Sequence, residues 1–418
     1  RCVTTNLVQL CKLALRCKGL FQSCVVIACL VVVCLTVPAD AATADMSGDF
    51  GVLLTWSSEA QPCTNIIANE PCLLLSQQVA GINLSGGFAS FKWGPGRNGS
   101  LCLSGVVDPM PVLAYRLAAQ EYEYVRFAGL MERDSNRTLI GQRLNIQATP
   151  RLRMAISETA ILSGDPSPFF YWPFPGLPLY ALQHVLYHQD VRPGNDANVN
   201  LGLDFSLTLG EAPEGSNERA HRTELYGEIL IDDAQSTSSS RSWIPDFVGA
   251  LVGLDIHRHI GTWQVTLNGE YTRISNYVYS HRVPNNNCIY HGIGLGHPLG
   301  PDADAVFLTL TACPGPRTSI EIKSTFERHG EGHIGLPWSR ELGSDGMFLS
   351  GVVEKRSKCA LSFTQELAKN LSLTASLETV SVENHDNTEG IQWKGWAAGV
   401  GLRAAISGIC SPQWDVLP

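Results

Sequence analysis

The chain has 418 residues, of which 17% are charged and 39 are glycine, and its formal net charge is −9. Residues 1–41 hold four cations against one carboxylate, so the remainder carries −12. A chain that acidic excludes a nucleic-acid binder, which must neutralise phosphates with Lys and Arg. The length permits a large core, and an all-β barrel can run this long as one unit.

The first element is a leader. Arg16 and Lys18 form a basic start, Cys24 to Val37 is apolar apart from Thr36, and Ala39-Asp40-Ala41 fits a cleavage site. Residues 1–41 are therefore expected to be a secretory signal peptide. The apolar run falls short of the ~20 residues that span a bilayer, although a single membrane anchor is the alternative. Six of the thirteen cysteines lie in this leader. The other seven contain no C-x-x-C pair, so no metal site and no cofactor is expected. Cys63 with Cys72, and Cys288 with Cys313, are candidate disulfides in an oxidising compartment.

Residues 42–79 read as an N-terminal periplasmic or partial barrel segment. From Ala80 onward, period-two alternation dominates. Gly94-Pro95-Gly96-Arg97-Asn98-Gly99 fits G-x-G-x-x-G, but Ser100 to Val107 continues as a strand. No helix N-terminus is there to hold a pyrophosphate, so the glycines read as a tight turn. Strands are expected near Leu139–Gln147 and Arg151–Thr159. Between Asp165 and Asn195 comes an aromatic excursion with Phe169, Phe170, Tyr171, Trp172 and Phe174, then a short helix over Leu179–His188. It reads as an extracellular loop or plug, or as an aromatic belt at the membrane edge.

Leu201 to Leu209, Thr223 to Asp232, Gly249–His257 and Trp263 to Thr272 follow as strands. Gly, Pro, Asn and Ser clusters at Gln235–Ser242 and Val283–Asn287 mark connections. Val306–Ala312, Thr318–Phe326, Met347–Lys355, Cys359–Glu366, Leu371 to Glu378 and Lys394–Ile406 are further examples among about sixteen such segments counted between Ala80 and Ser407. Strands turn alternate side chains to opposite faces, so each segment has one apolar and one polar face.

The polar face carries Arg143, Arg153, Asp204, Glu224, Glu228, Asp232, Asp255, Glu270, Glu321, Lys323 and Glu327, which are expected to line a lumen. The fold class is all-β: a large antiparallel transmembrane barrel of about 16–18 strands over 80–408, with a tail at 409–418. A soluble two-sheet protein is the alternative.

Catalytic signals are weak. His184 with His188, and His257 with His259, lack the carboxylate pattern of a zincin. Glu228 and Asp232 share a face about 13 Å apart at ~3.3 Å per residue, too far for glycosidase carboxylates. Pairing with lumen Arg or Lys is the better reading of that acidic cluster.

Four stretches then point to a family. Trp93-Gly94-Pro95-Gly96-Arg97-Asn98-Gly99-Ser100-Leu101-Cys102-Leu103-Ser104, followed by Asp108-Pro109-Met110-Pro111, resembles a motif of the Wzi capsule-assembly family. Ile140-Gly141-Gln142-Arg143-Leu144, Leu225-Tyr226-Gly227-Glu228 through Asp233, and Gly294-Leu295-Gly296-His297-Pro298-Leu299-Gly300 are similar to it as well. The resemblance covers about Ala80 to Leu402. It implies an eighteen-stranded outer-membrane barrel with lectin-like behaviour that organises capsular polysaccharide without catalysis.

On that reading the partners are surface polysaccharide and outer-membrane lipid, and the chain acts as a monomer. Tyr171, Trp172, Tyr180, Trp243 and Tyr279 are candidate glycan-stacking aromatics. Arg317, Arg328 and Arg340 are candidate contacts to an acidic glycan. A porin-like channel, or a soluble exported enzyme acting on polysaccharide, are the alternatives.

Overall fold

A computed structural model of the protein describes residues 50–53, 73–79, 82–165, 168–171, 175, 177–179, 181–182, 197–209, 221–233, 247–336, 338, 347–368 and 371–404. The leader, the C-terminal tail, Cys63, Cys72, Trp172, Tyr180, His184, His188, Trp243 and Arg340 lie outside the described residues.

The first strands are β1 (Phe50–Leu53), β2 (Leu73–Val79) and β3 (Ile82–Ala89), followed by the two-residue strands β4 (Lys92–Trp93) and β5 (Leu103–Ser104). Next come β6 (Met110–Ala118), β7 (Tyr122–Glu132), β8 (Arg137–Thr149) and β9 (Leu152–Leu162). They lead to β10 (Asn198–Leu209), β11 (Arg222–Asp233), β12 (Phe247–Ile260) and β13 (Trp263–Ile274). After the short pair β14 (Ile289–Tyr290) and β15 (Ile293–Gly294) come β16 (Ala303–Gly315) and β17 (Thr318–His329). The last three are β18 (Glu354–Ala368), β19 (Leu371–Glu383) and β20 (Gln392–Ala404).

Among the described residues, sixteen of these form one antiparallel meander in which each long strand pairs with the next in sequence. β1 and β2 precede residue 80 and belong to the same sheet. Alternation decides the faces. In β12, Phe247, Gly249, Leu251, Gly253 and Asp255 are buried, whereas Ala250, Val252 and Leu254 are exposed. In β16, Val306, Leu308 and Leu310 are exposed. An exposed apolar band around a polar-lined interior is the outer-membrane barrel arrangement.

The connections give the orientation. At one end, residues 119–121, 150–151, 261–262 and 316–317 are tight turns; at the other, 90–109 and 275–302 are long. Outer-membrane barrels keep short turns in the periplasm and long loops outside, so the long-loop end is extracellular.

Two expected strands are not strands. Within Ser100–Val107 only Leu103–Ser104 pairs, and in Met347–Lys355 strand pairing begins at Glu354. The first is drawn into the interior: Leu101 and Leu103 are both buried, and the Leu101 N–H bonds a wall carboxylate instead of a neighbouring strand. The expected Cys288–Cys313 disulfide is also absent, since both thiols are free. Cys288 lies in an extracellular loop and Cys313 near the periplasmic end of β16.

The described part of the aromatic excursion does not plug the lumen. Phe170, Leu179 and Leu182 pack on Ile140, Ala160, Leu162 and Val199, which face outward. Beneath them lies an outward-facing polar trio, Arg126, Gln142 and Glu158. Arg126 donates to the Phe170 carbonyl at 2.8 Å, Gln142 to the Leu177 carbonyl at 3.0 Å, and the Leu179 N–H donates to Glu158 at 2.9 Å. Lipid offers such groups no partners, and this strap supplies them.

Candidate functional site

The interior is stoppered by extracellular loops that fold inward. Loop 90–109 enters from β3, and loop 275–302 from β13. The Ser104 N–H donates to the Leu295 carbonyl at 2.9 Å, and the Tyr279 hydroxyl donates to the Leu101 carbonyl at 2.7 Å. Asp302 ties in the loop after β17, accepting the Gly332 N–H at 2.9 Å and the Ser350 N–H at 3.0 Å. One hydrophobic cluster, including Trp93, Leu101, Phe127, Tyr226, Tyr279 and Leu295, joins these loops to the inner wall.

The wall holds the stopper by its carboxylates. Glu228 is 4% exposed and accepts the Gly96 N–H at 2.7 Å and the Leu101 N–H at 2.6 Å. Glu270 accepts the Arg97 N–H at 2.7 Å, the Asn98 N–H at 3.2 Å and the Tyr226 hydroxyl at 2.9 Å. Asp232 accepts the Tyr279 N–H, and the Arg97 guanidinium sits 3.0 Å from Asp255 and 3.4 Å from Glu224. A buried carboxylate demands such donors, because burying it unpaired is costly.

The glycines of the turn permit this seating. Gly94 has φ +137°, and a Cβ on it would stand 2.2 Å from Glu228 Oε1. A side chain at Gly99, with φ +146°, would meet Pro298 at 2.4 Å. The stretches that carried the family resemblance therefore meet in one interlock: the turn, the acidic wall strand and the Gly294–Gly300 loop. Gly141 takes part too, since a Cβ there would meet Phe127 at 2.3 Å and Trp93 at 2.7 Å.

Burial sets the chemistry of the stopper. It pushes the Cys102 thiol up to about 12 and raises the Cys288 thiol, which keeps both protonated and unreactive. It pushes the His297 imidazole down to about 3, with Lys92 acting in the same direction and Glu327 against it. His297 Nδ1 accepts the Leu299 N–H at 3.1 Å, which assigns the proton to Nε2.

Below the stopper lies a vestibule of about 690 Å³ towards the periplasm, where Arg143, Arg153 and Glu224 face Arg97. Arg143 pairs with Asp204 at 2.6 Å, and Glu224 gathers Arg222 at 2.8 Å and Arg153 at 3.6 Å. Further round the inner wall, Lys323 pairs with Glu321 at 3.0 Å, and Glu327 with His329 and Lys358, both at 3.3 Å. By strand register these side chains share one face of the sheet with Asp232, Asp255 and Glu270.

Among the described residues, the candidate glycan contacts Tyr171, Tyr279, Arg317 and Arg328 are not brought together. Tyr171 is 41% exposed on the outer strap. Tyr279 is 1% exposed and knits the stopper, so it cannot stack on a surface sugar. Arg317 sits in the tight turn between β16 and β17, at the periplasmic end, where its carbonyl accepts the Glu366 N–H. Arg328 points outward at the extracellular rim and pairs with Asp304 at 2.6 Å.

The sequence reading missed the exposed tip of the stopper. Arg137, at the extracellular end of β8, donates to the Asn287 and Ile289 carbonyls at 2.6 Å, which sets the β14–β15 hairpin at the rim. At its tip, His291 stacks on Tyr290 with ring centroids 4.0 Å apart and lies 3.6 Å from Asp108. Tip residues 291–293 are exposed. No periodic signal marks them, because they lie in a ribbon of two very short strands.

An antiparallel meander with an apolar outer band and a lumen filled by its own outer loops is an outer-membrane β-barrel of the plugged kind. This chain belongs to the capsule assembly protein Wzi family, whose model matches residues 74–393. Among solved structures it is similar to Escherichia coli Wzi, described as a carbohydrate-binding β-barrel of the outer membrane involved in group 1 capsule assembly. The TM-score is 0.53 at 18% identity, over 79% of this chain and 70% of that one. Pseudomonas aeruginosa OprD matches with a TM-score of 0.42 at 10% identity, over 80% of each chain. Acinetobacter baumannii OccAB4 matches with a TM-score of 0.42 at 7% identity, over 79% of this chain and 73% of that one. No curated protein matches the chain.

Proposed function

We propose that this protein is a monomeric, non-catalytic anchor that binds capsular or other surface polysaccharide at its extracellular face and holds it to the outer membrane. The observation that carries the reading is the stopper. The inner-wall carboxylates are engaged by its backbone N–H groups, and its exposed tip presents Asp108 and His291 where a passing glycan meets them, with the His291 ring backed by the buried Tyr290. Sugars bind by stacking on rings and hydrogen bonding to polar side chains. Glu228 and Asp232, the strongest candidates for hydrolysis in the sequence, serve as receptors for the stopper. Family membership supports the same reading.

The test combines Asp108→Ala and His291→Ala and measures polysaccharide retained on intact cells. Retention is expected to fall at least tenfold while the barrel keeps its heat-modifiable mobility on a gel. Unchanged retention overturns this assignment of the binding face. Steady conductance of the wild-type protein in a planar bilayer would favour a channel instead.

A further inference from the structure

The outer wall of β17–β20 differs from the rest of the apolar band. Directly opposed outward positions run in rows across neighbouring strands. One row reads Tyr271, Val306, Phe326, then Ser357, Ser381 and Lys394. The next row, deeper in the band, passes from Leu308 to Ser324, Cys359, Thr379 and Trp396. Large apolar side chains thus give way, within one strand spacing, to hydroxyls and a thiol. The result is an outward-facing groove of about 490 Å³ with a floor of small polar residues between Phe326 and Trp396.

Charge is concentrated at the rim above this groove. Arg273 opposes Asp304, Asp304 opposes Arg328, Arg328 opposes Lys355, and Lys355 opposes Glu383. With Lys394, four cations stand against two carboxylates among the described outward residues. Arg328 and Lys355 are 51% and 58% exposed. The Arg273 guanidinium lies 3.8 Å from the Phe348 ring centroid, which fixes it at the rim. Below the groove the band resumes with Leu361, Phe363, Leu377 and Val400, all exposed.

Cations at the headgroup level, hydroxyls just beneath and apolar surface below that match, layer by layer, a lipid with a phosphorylated sugar head. Lipid alone gains nothing from a hydroxyl floor, and a soluble anion gains nothing from the apolar wall. We propose that the outer wall of β17–β20 is a binding site for a phosphorylated glycolipid of the outer leaflet. The site is separate from the glycan-binding face and requires only that the barrel lie in the membrane.

The test is native mass spectrometry of the full chain in detergent with lipid A carrying both phosphates, the same lipid stripped of them, or inorganic phosphate. Wild type is expected to retain the phosphorylated lipid and lose the stripped one. R328Q/K355Q/K394Q is expected to lose about fivefold affinity per cation, roughly a hundredfold in all. Ser357→Phe with Ser381→Phe keeps the charges but fills the floor, and is expected to weaken retention at least tenfold. Arg133→Gln, on the far wall at the same end, should bind as wild type does. Equal retention by the triple-charge variant, or of the stripped lipid, overturns the site. Displacement of the lipid by an equal concentration of inorganic phosphate overturns it as a lipid site. Heat-modifiability on a gel confirms that each variant is folded.

Discussion

The inner wall is built in two ways. From β11 to β13 its carboxylates receive backbone N–H groups from the stopper and are almost fully buried: Glu228 is 4% exposed and Glu270 2%. Along β17 the same alternation yields pairs between side chains, such as Lys323 with Glu321, whose side chains are 51% and 33% exposed. The strands are alike in pattern. What differs is whether a loop folds onto them, and that turns an acidic residue from one half of a screened ion pair into a receptor that fixes the plug. Screening and side-chain entropy make the exposed pairs weak, whereas a buried charge deprived of its donors is expensive.

That contrast can be broken most sharply at Glu228. Glu228→Ala strands the Gly96 and Leu101 N–H groups and is expected to cost about 3–5 kcal/mol of stopper stability. It should appear as new conductance in planar bilayers with a lower heat-modification midpoint. A silent, equally stable variant would mean that the stopper is held elsewhere.

Acid provides the second lever. His297 is pushed below its usual value of 6.5 to about 3. A group depressed in this way stays neutral in the folded stopper but takes up a proton once released. Stability is therefore full above about pH 6.5 and falls by about 1.4 kcal/mol per pH unit from there towards pH 3. Conductance openings are expected to rise as pH falls from about 6 to about 4, and His297→Gln should flatten that rise. An identical pH profile in the variant would assign the acid sensitivity to other groups.

The third is Tyr279→Phe, which removes a hydroxyl that donates to the Leu101 carbonyl and accepts the His297 N–H. A loss of about 1–3 kcal/mol is expected from the buried groups left unmatched, read from the midpoint of chemical unfolding. The smallest effect belongs to the other half of the wall. Lys323→Gln should change stability by less than about 1 kcal/mol, and the change should vanish in molar salt. A loss as large as that at Glu228 would erase the distinction between the two halves.

The sequence by itself determined most of the long strands, the alternation of their faces and the class of the fold. Period two is a local property, and each strand reports it without help from its neighbours, which is why β10 to β13 are legible residue by residue. The charges of the inner face follow from the same count. What the sequence could not show was which way a non-periodic segment folds. Ser100 to Val107 looks like a strand because its apolar residues face plug partners from distant loops. The Pro168–Tyr171 region and its neighbours contain too many rings for a simple loop, and only the packed barrel places Phe170 on the outer wall over Arg126. Tyr279 reads as an exposed loop aromatic until loop 275–302 is seen inside the lumen. Tertiary structure decided these because their environment is set by residues far away in the chain, such as Glu228 for Gly96, and no local pattern records contacts at that separation.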